Sequence, residues 1–242
     1  MIYKSIALVW LSLVALEAAA LQPLDANIDP EYVGSDYRPT VVITGFGPFG
    51  PHKINPSWEV VKDGLLEIDR PVKVVAKQIA VAYAEIDRVV PELWARYNPL
   101  VTIHVGLDAG AKELIVENLA REGPYLMKDV WGQFPTRSNG ISSAKTCVSV
   151  DYVCSKLNLA HQTHKVPMKC RVRDDAGLYL CEYIYNTSLR VSSRTVFIHI
   201  PGTQTAPLED IRAAVKMAIE SIIDDVLINP ECRVDIIENE II

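Results

Sequence analysis

The chain has 242 residues, 49% of them hydrophobic, which is enough to bury one good-sized core and does not call for a second domain. A net charge of −6 with no Lys/Arg stripe excludes the electrostatic footprint of a nucleic-acid partner. The five cysteines, at 147, 154, 170, 181 and 232, form no C-x-x-C pair for zinc or redox work, and in a secreted chain their odd number leaves at least one thiol over.

In chain order, Lys4 precedes an apolar run from Ile6 to Leu16, followed by Ala18, Ala19 and Ala20. That is the layout of a secretory signal peptide over residues 1–20, the competing reading being an unprocessed apolar extension. Glu17 interrupts the run well short of the roughly 20 apolar residues a membrane span needs, so no stable membrane anchor is expected. Residues 21–38 are polar, with Pro and Asp, and read as a linker. β-Branched runs then predict strands at 41–44, 72–81, 101–105, 114–117, 169–172 and 195–200. Helical spacing predicts helices at 57–67, 85–94, 150–159, 178–189 and 208–227. Strand and helix alternate, which argues a single-domain three-layer α/β/α sandwich around a largely parallel, mixed central sheet. Residues 121–146 follow neither period and read as a long surface loop.

In such sheets ligands bind at the carboxyl ends of the strands, so the residues that end the apolar runs carry the functional interest. The first run ends in TGFGPFG, where Gly45, Gly47 and Gly50 spell G-x-G-x-x-G. A dinucleotide site would need a helix beginning inside the motif and an acidic residue about 20 positions on. Pro48 and Pro51 hold the segment as a loop, the helix begins only near Asn55-Pro56-Ser57, and the next strand ends in Val81-Ala82-Tyr83. Turn glycines of positive φ are the plainer reading. A third takes Phe46 and Phe49, which flank Pro48, as an aromatic slot for a flat ligand at the top of a strand.

Three reactive side chains stand at other element ends. Cys181 lies near the start of a predicted helix, where the helix dipole favours a thiolate. His199 lies near the end of TVFIHIP, and Glu117 follows Leu-Ile-Val, where an unpaired charge would be costly to bury. Taken singly, a helical Cys is more often core filler and a strand His a satisfied core residue. Together they supply a nucleophile, a base and an orienting group.

The motifs TGFGPFG with INPSW, HVGLDAGAKELIVE, DDAGLYLCEYIYNTSL and FIHIPG, in this order from about Thr40 to Ile223, resemble the pyroglutamyl peptidase I family of cysteine peptidases. The resemblance implies a nucleophile at Cys181, a base at His199, an orienting carboxylate at Glu117, and pyroglutamyl-ring contacts at Phe46, Phe49 and Asn55. It implies a catalytic domain over 39–227 with a tail at 228–242, no metal or other cofactor, and N-terminally pyroglutamylated peptides as partners; it leaves the oligomeric state open. The expected reaction is release of N-terminal pyroglutamate through an acyl-enzyme on Cys181, and the alternative is a non-catalytic homologue that binds such peptides.

Three departures qualify the resemblance. Typical members carry Asn after the nucleophile where this chain has Glu182, an anionic neighbour expected to raise the thiol pKa. The loop from Arg121 matches only loosely, through Tyr125 and Asp129. The signal-like start points to a secretory compartment, whereas the family is generally cytoplasmic. Asn186-Thr187-Ser188 is a sequon expected to stay unmodified on a folded helix, and His161 and His164 are expected to be surface residues rather than metal ligands.

Overall fold

The structure, a computed structural model, describes residues 38–62, 65–121, 123–136 and 143–232. The signal-like segment, the linker up to residue 37 and the last ten residues lie outside the described residues. Eight strands and five helices are present among those described: β1 (Thr40–Phe46), α1 (Pro56–Val61), β2 (Lys73–Ile79), α2 (Tyr83–Tyr97), β3 (Val101–Leu107), β4 (Leu114–Glu117), β5 (Leu119–Ala120), β6 (Ala144–Lys145), α3 (Val150–Gln162), β7 (Cys170–Arg173), α4 (Leu180–Leu189), β8 (Thr195–Ile200) and α5 (Leu208–Ile228).

Six strands form one sheet in the order β2-β1-β3-β8-β4-β7. Every pairing is parallel except β4 with β8, so the sheet is mixed and largely parallel as expected. Strand alternation divides the core in two. Val41 and Ile43 pack with α1, α3 and α5 on one face, while Val42 packs with α2 and α4 on the other. Helices on both faces make the three layers, and they explain why β1, β3 and β8 read as continuous apolar runs: both sides of each strand are buried.

Three boundaries differ from expectation. Helix α1 stops at Val61 rather than at residue 67: the backbone leaves the helical region at Lys62, where ψ is 153°. Helix α2 runs longer than predicted and carries Pro91 in its interior, ending at Asn98 in a left-handed conformation. The segment 121–146 is not loop throughout: Ala144–Lys145 pairs antiparallel with Leu119–Ala120 in a two-stranded ribbon too short to leave a period in the sequence.

Four of the five cysteines are paired. Cys147 is bonded to Cys232 and Cys154 to Cys170, which leaves Cys181 free. The first bond closes a separation of 85 residues and the second one of 16. By loop-closure entropy these contribute about 4.5 and about 3 kcal/mol respectively. Among the described residues no helix is long and apolar enough to cross a membrane.

Candidate active site

Three neighbouring strands place the ionisable centre. In the antiparallel β4/β8 register Ile115 faces His199 and Glu117 faces Phe197, so Glu117 and His199 are diagonal neighbours on one face of the sheet. In the parallel β4/β7 register Glu117 lies beside Arg173. His199 Nδ1 is 2.8 Å from Glu117 Oε1, and both side chains are buried. With Nδ1–H donated to the carboxylate, Nε2 is the ring nitrogen left to exchange protons. Arg173 donates to the same Oε1 from Nε at 2.9 Å and Nη2 at 2.6 Å, and its Nη1 reaches Asp108 Oδ2 at 3.0 Å. The Asp175 backbone N–H adds a contact to Glu117 Oε2 at 3.3 Å. The carboxylate that the sequence marks as costly to bury is thus fully paired.

Cys181 occupies the second position of α4, which packs on the same sheet face through Leu180, Tyr183 and Ile184. Its thiol rests against Gly106 of β3, whose register partner in β8 is His199. A Cβ at position 106 would stand 2.9 Å from Cys181 Sγ and 2.6 Å from Phe197 Cζ, so only glycine admits the thiol here. Helical hydrogen bonding begins with Tyr183 N–H donating to Tyr179 O, and the first-turn N–H groups beside the thiol have no intrahelical acceptor.

The thiol is not the depressed one that a helix N-terminus alone would give. Burial, then the negative charges of Glu117 and Asp108, push it up to about 12, with Arg173 pulling the other way and Glu182 adding to the rise. Low dielectric outweighs the helix dipole, and the resting group is a thiol.

Glu182 itself is buried. One oxygen accepts the Arg121 backbone N–H while Oε2 has no partner, and burial raises its pKa to about 7. At acid pH the side chain is therefore neutral, and it places no charge beside the thiol until neutrality is passed. Because its folded-state value lies above the ordinary 4.5, its stabilising contribution is complete below 4.5 and is lost as pH rises through 7. Glu182→Gln removes this titration. Urea unfolding is expected to show the variant gaining about 3 kcal/mol on the parent between pH 4 and pH 8. A pH-independent difference would contradict the assignment.

A small cleft opens beside the thiol, lined by Phe46, Phe49, Asn55, Leu107, Tyr179 and Cys181 among others. The structure thus brings the two phenylalanines, the asparagine and the cysteine together, and His199 borders the adjoining depression, which shares Phe49 and Leu107. Of the motif glycines only Gly50 has positive φ, at 49°. Gly45 is required for a different reason: an added Cβ would lie 2.5 Å from Ser57 O, where β1 runs against the start of α1. Asn55 caps α1, its Oδ1 accepting from Ser57 N–H at 3.1 Å and its Nδ2 donating to Gly47 O at 2.9 Å, so it ties the helix to the glycine loop.

Phe46 departs from the loop-top position expected of it. It is the last residue of β1, 3% exposed and part of the core, whereas Phe49 is only partly buried. Asp129, in the segment that matched only loosely, is a buried hub: its carboxylate accepts backbone N–H groups of Tyr83, Trp131 and Gln133 at 2.9–3.0 Å. Asn186, Thr187 and Ser188 are buried in α4, which leaves the sequon no room for a glycan. His161 Nδ1 lies 3.1 Å from Val166 O, and His164 is exposed beyond the end of α3.

Arg173 and Asp108 were not singled out by sequence reasoning. Arg173 is the last residue of β7 and Asp108 the first after β3, but only the fold shows that Arg173 bridges Asp108 and Glu117.

A model described as "Pyroglutamyl peptidase" matches residues 39–235. The chain belongs to the pyroglutamyl peptidase family. It is 30% identical over 194 residues to pyroglutamyl-peptidase 1 of Homo sapiens, an alignment covering 77% of this chain and 91% of that protein. It is 27% identical over 201 residues to pyrrolidone-carboxylate peptidase of Thermococcus kodakarensis, covering 76% and 96%. A solved structure of a mutant pyrrolidone carboxyl peptidase from Pyrococcus furiosus superposes with a TM-score of 0.67 at 25% identity, covering 77% of this chain and 99% of that one. Membership of this pyroglutamyl peptidase family makes the chain a peptidase-type hydrolase.

Proposed function

We propose that the protein is a cysteine exopeptidase that releases pyroglutamate from peptide N-termini through an acyl-enzyme on Cys181. The observation that carries this reading is the placement of a free thiol in the first turn of α4, on the wall of an aromatic cleft and next to the buried His199–Glu117 pair. The neutral lactam ring would lie against Phe46 at the end of β1 and Phe49 on the following loop, which Asn55 holds through Gly47 O. Cys181 Sγ would attack the pyroglutamyl carbonyl as its proton passes to His199 Nε2. The same proton would then go to the departing amine as the C–N bond breaks, and water would release the acid from sulfur. First-turn N–H groups of α4 would receive the oxyanion. Glu182, neutral below about 7, gives no ground for the non-catalytic alternative.

The test is turnover of a fluorogenic pyroglutamyl amide set against the matching prolyl amide. Release only from the lactam, stopped by iodoacetamide, supports the proposal; equal release from both, or none from either, overturns it.

The aromatic pair is expected to separate into two behaviours. Phe49→Ala should lower kcat/KM by about 10- to 100-fold with little change in thermal stability, as the loss of a ring contact would. Phe46→Ala should also destabilise the fold by about 3–5 kcal/mol, because it empties core volume. Steady-state kinetics with thermal melts of both variants check this, and equal melting losses in the two would contradict it.

We further propose a secretory location, which the disulfides support because such bonds persist in oxidising compartments. The mature chain should begin near Leu21 or later and titrate one free thiol after denaturation without reductant. N-terminal sequencing of protein from culture medium decides this; an intact Met1 in a cytosolic fraction would refute the location and leave the peptidase reading in place.

A further inference from the structure

We propose that Arg173 is a positioning residue of the reaction, whose fixed positive charge holds the imidazole of His199 in its neutral, proton-accepting form while the same guanidinium anchors Glu117. The inference rests on the peptidase reading and assigns a role to a residue outside the nucleophile, base and carboxylate.

The geometry sets two influences against each other at Nδ1. Glu117 Oε1 is 2.8 Å away and Arg173 Nη2 is 3.0 Å away. Both ring neighbours cannot be satisfied through one nitrogen. If Nδ1 carries the proton that Glu117 accepts, the guanidinium beside it is not a hydrogen-bond partner of the ring but a cation in contact with it. A guanidinium cannot shed its proton in this environment, so the charge is permanent.

A carboxylate alone against a buried imidazole favours the imidazolium, and a cation at the same distance opposes it. The imidazolium is the form that cannot take a proton from a thiol, and Cys181 is a thiol at rest because burial and the carboxylates raise it. Arg173 is held in place at its other end by Asp108 Oδ2 at 3.0 Å, and it is less than a quarter exposed, so its position is built into the fold.

The titratable and charged groups around His199 are Glu117 on β4 and Arg173 on β7 at Nδ1, Asp108 after β3 and Asp175 after β7 in the shared depression; Cys181 and Glu182 on α4 act with these carboxylates and Arg173 on the neighbouring thiol. His52 lines the far side of the adjoining depression. Asp175 is paired with Arg121, and Glu182 is neutral below about 7. Among these, Arg173 is the cation in contact with the ring.

The experiment compares the parent, Arg173→Gln and Arg173→Lys by two readings: the acid limb of kcat/KM for a pyroglutamyl amide, and the NMR titration of the His199 ring, assigned with His199→Gln. Arg173→Gln should move both the limb and the ring midpoint to higher pH by about one unit or more, a tenfold loss of kcat/KM at the foot of the profile. Arg173→Lys should hold the limb near that of the parent while lowering kcat, since an ammonium keeps the charge but not the fork. If Arg173→Gln lowers kcat with limb and midpoint unmoved, Arg173 is only a strap for Glu117 and the proposal is wrong.

Should Arg173→Gln not fold, Glu117→Gln and the double variant Glu117→Gln/Arg173→Gln replace it, the double variant leaving no buried carboxylate unpaired. The ring midpoint must then lie higher in the double variant than in the single one, and equal midpoints overturn the proposal. Because the ring titration needs no substrate, absent turnover in the parent would count against the peptidase reading and not against this one.

Discussion

Cys181→Ala is expected to lower kcat for a pyroglutamyl amide by at least about 10⁴-fold, to the level of assisted hydrolysis without a nucleophile. The remaining site would be intact: the cleft, the His199–Glu117 pair and the first-turn N–H groups of α4 do not depend on the sulfur. Substrate should therefore still bind, and an inhibition constant for a non-cleavable pyroglutamyl analogue should change little. Loss of both rate and binding would indicate a collapsed cleft. Near-parental turnover would remove Cys181 from the mechanism altogether.

Gly106→Ala should also be damaging, though less so, from a residue that carries no chemistry. The new methyl would meet Phe197 Cζ at 2.6 Å and Cys181 Sγ at 2.9 Å, both closer than van der Waals contact permits. Phe197 is fully buried at the centre of β8 and has nowhere to go, so the strain falls on the fold and on the thiol together. A stability loss of about 1–3 kcal/mol is expected from overpacking. Displacing the sulfur by as little as about 1 Å should cost on the order of 100-fold in kcat/KM. Thermal melts beside steady-state kinetics on the purified variant measure the two losses, and parental values for both would show that the site tolerates a side chain there.

Much of this architecture was legible because the central strands are buried on both faces. The apolar runs that became β1, β3, β4 and β8 could hardly be placed elsewhere, and the rule that function gathers at strand ends led directly to Glu117 and His199. What stayed hidden belongs to the register and to packing. Arg173 ends a four-residue strand in front of two aspartates and has no sequence mark of its own; its role appears only when β7 lies beside β4. Cys181 lies at a helix start as expected, but the local dipole argument could not include the burial and the carboxylates of Glu117 and Asp108 that reverse the direction of its shift. Phe46 looked like a loop residue because Pro48 follows so closely, although the strand runs through it into the core. The glycines illustrate the same limit: Gly45 and Gly106 are demanded by neighbours distant in sequence, which no turn signature reports. The pairing of four cysteines likewise needed the fold, since counting allowed but did not select it.

The account turns on one covalent species. Mixing the protein with a pyroglutamyl ester whose leaving group departs fast, quenching in acid and digesting for mass spectrometry should find one pyroglutamyl group on the peptide that contains Cys181, absent after iodoacetamide treatment. An unmodified Cys181 during sustained turnover, or the acyl group on another residue, would contradict the account.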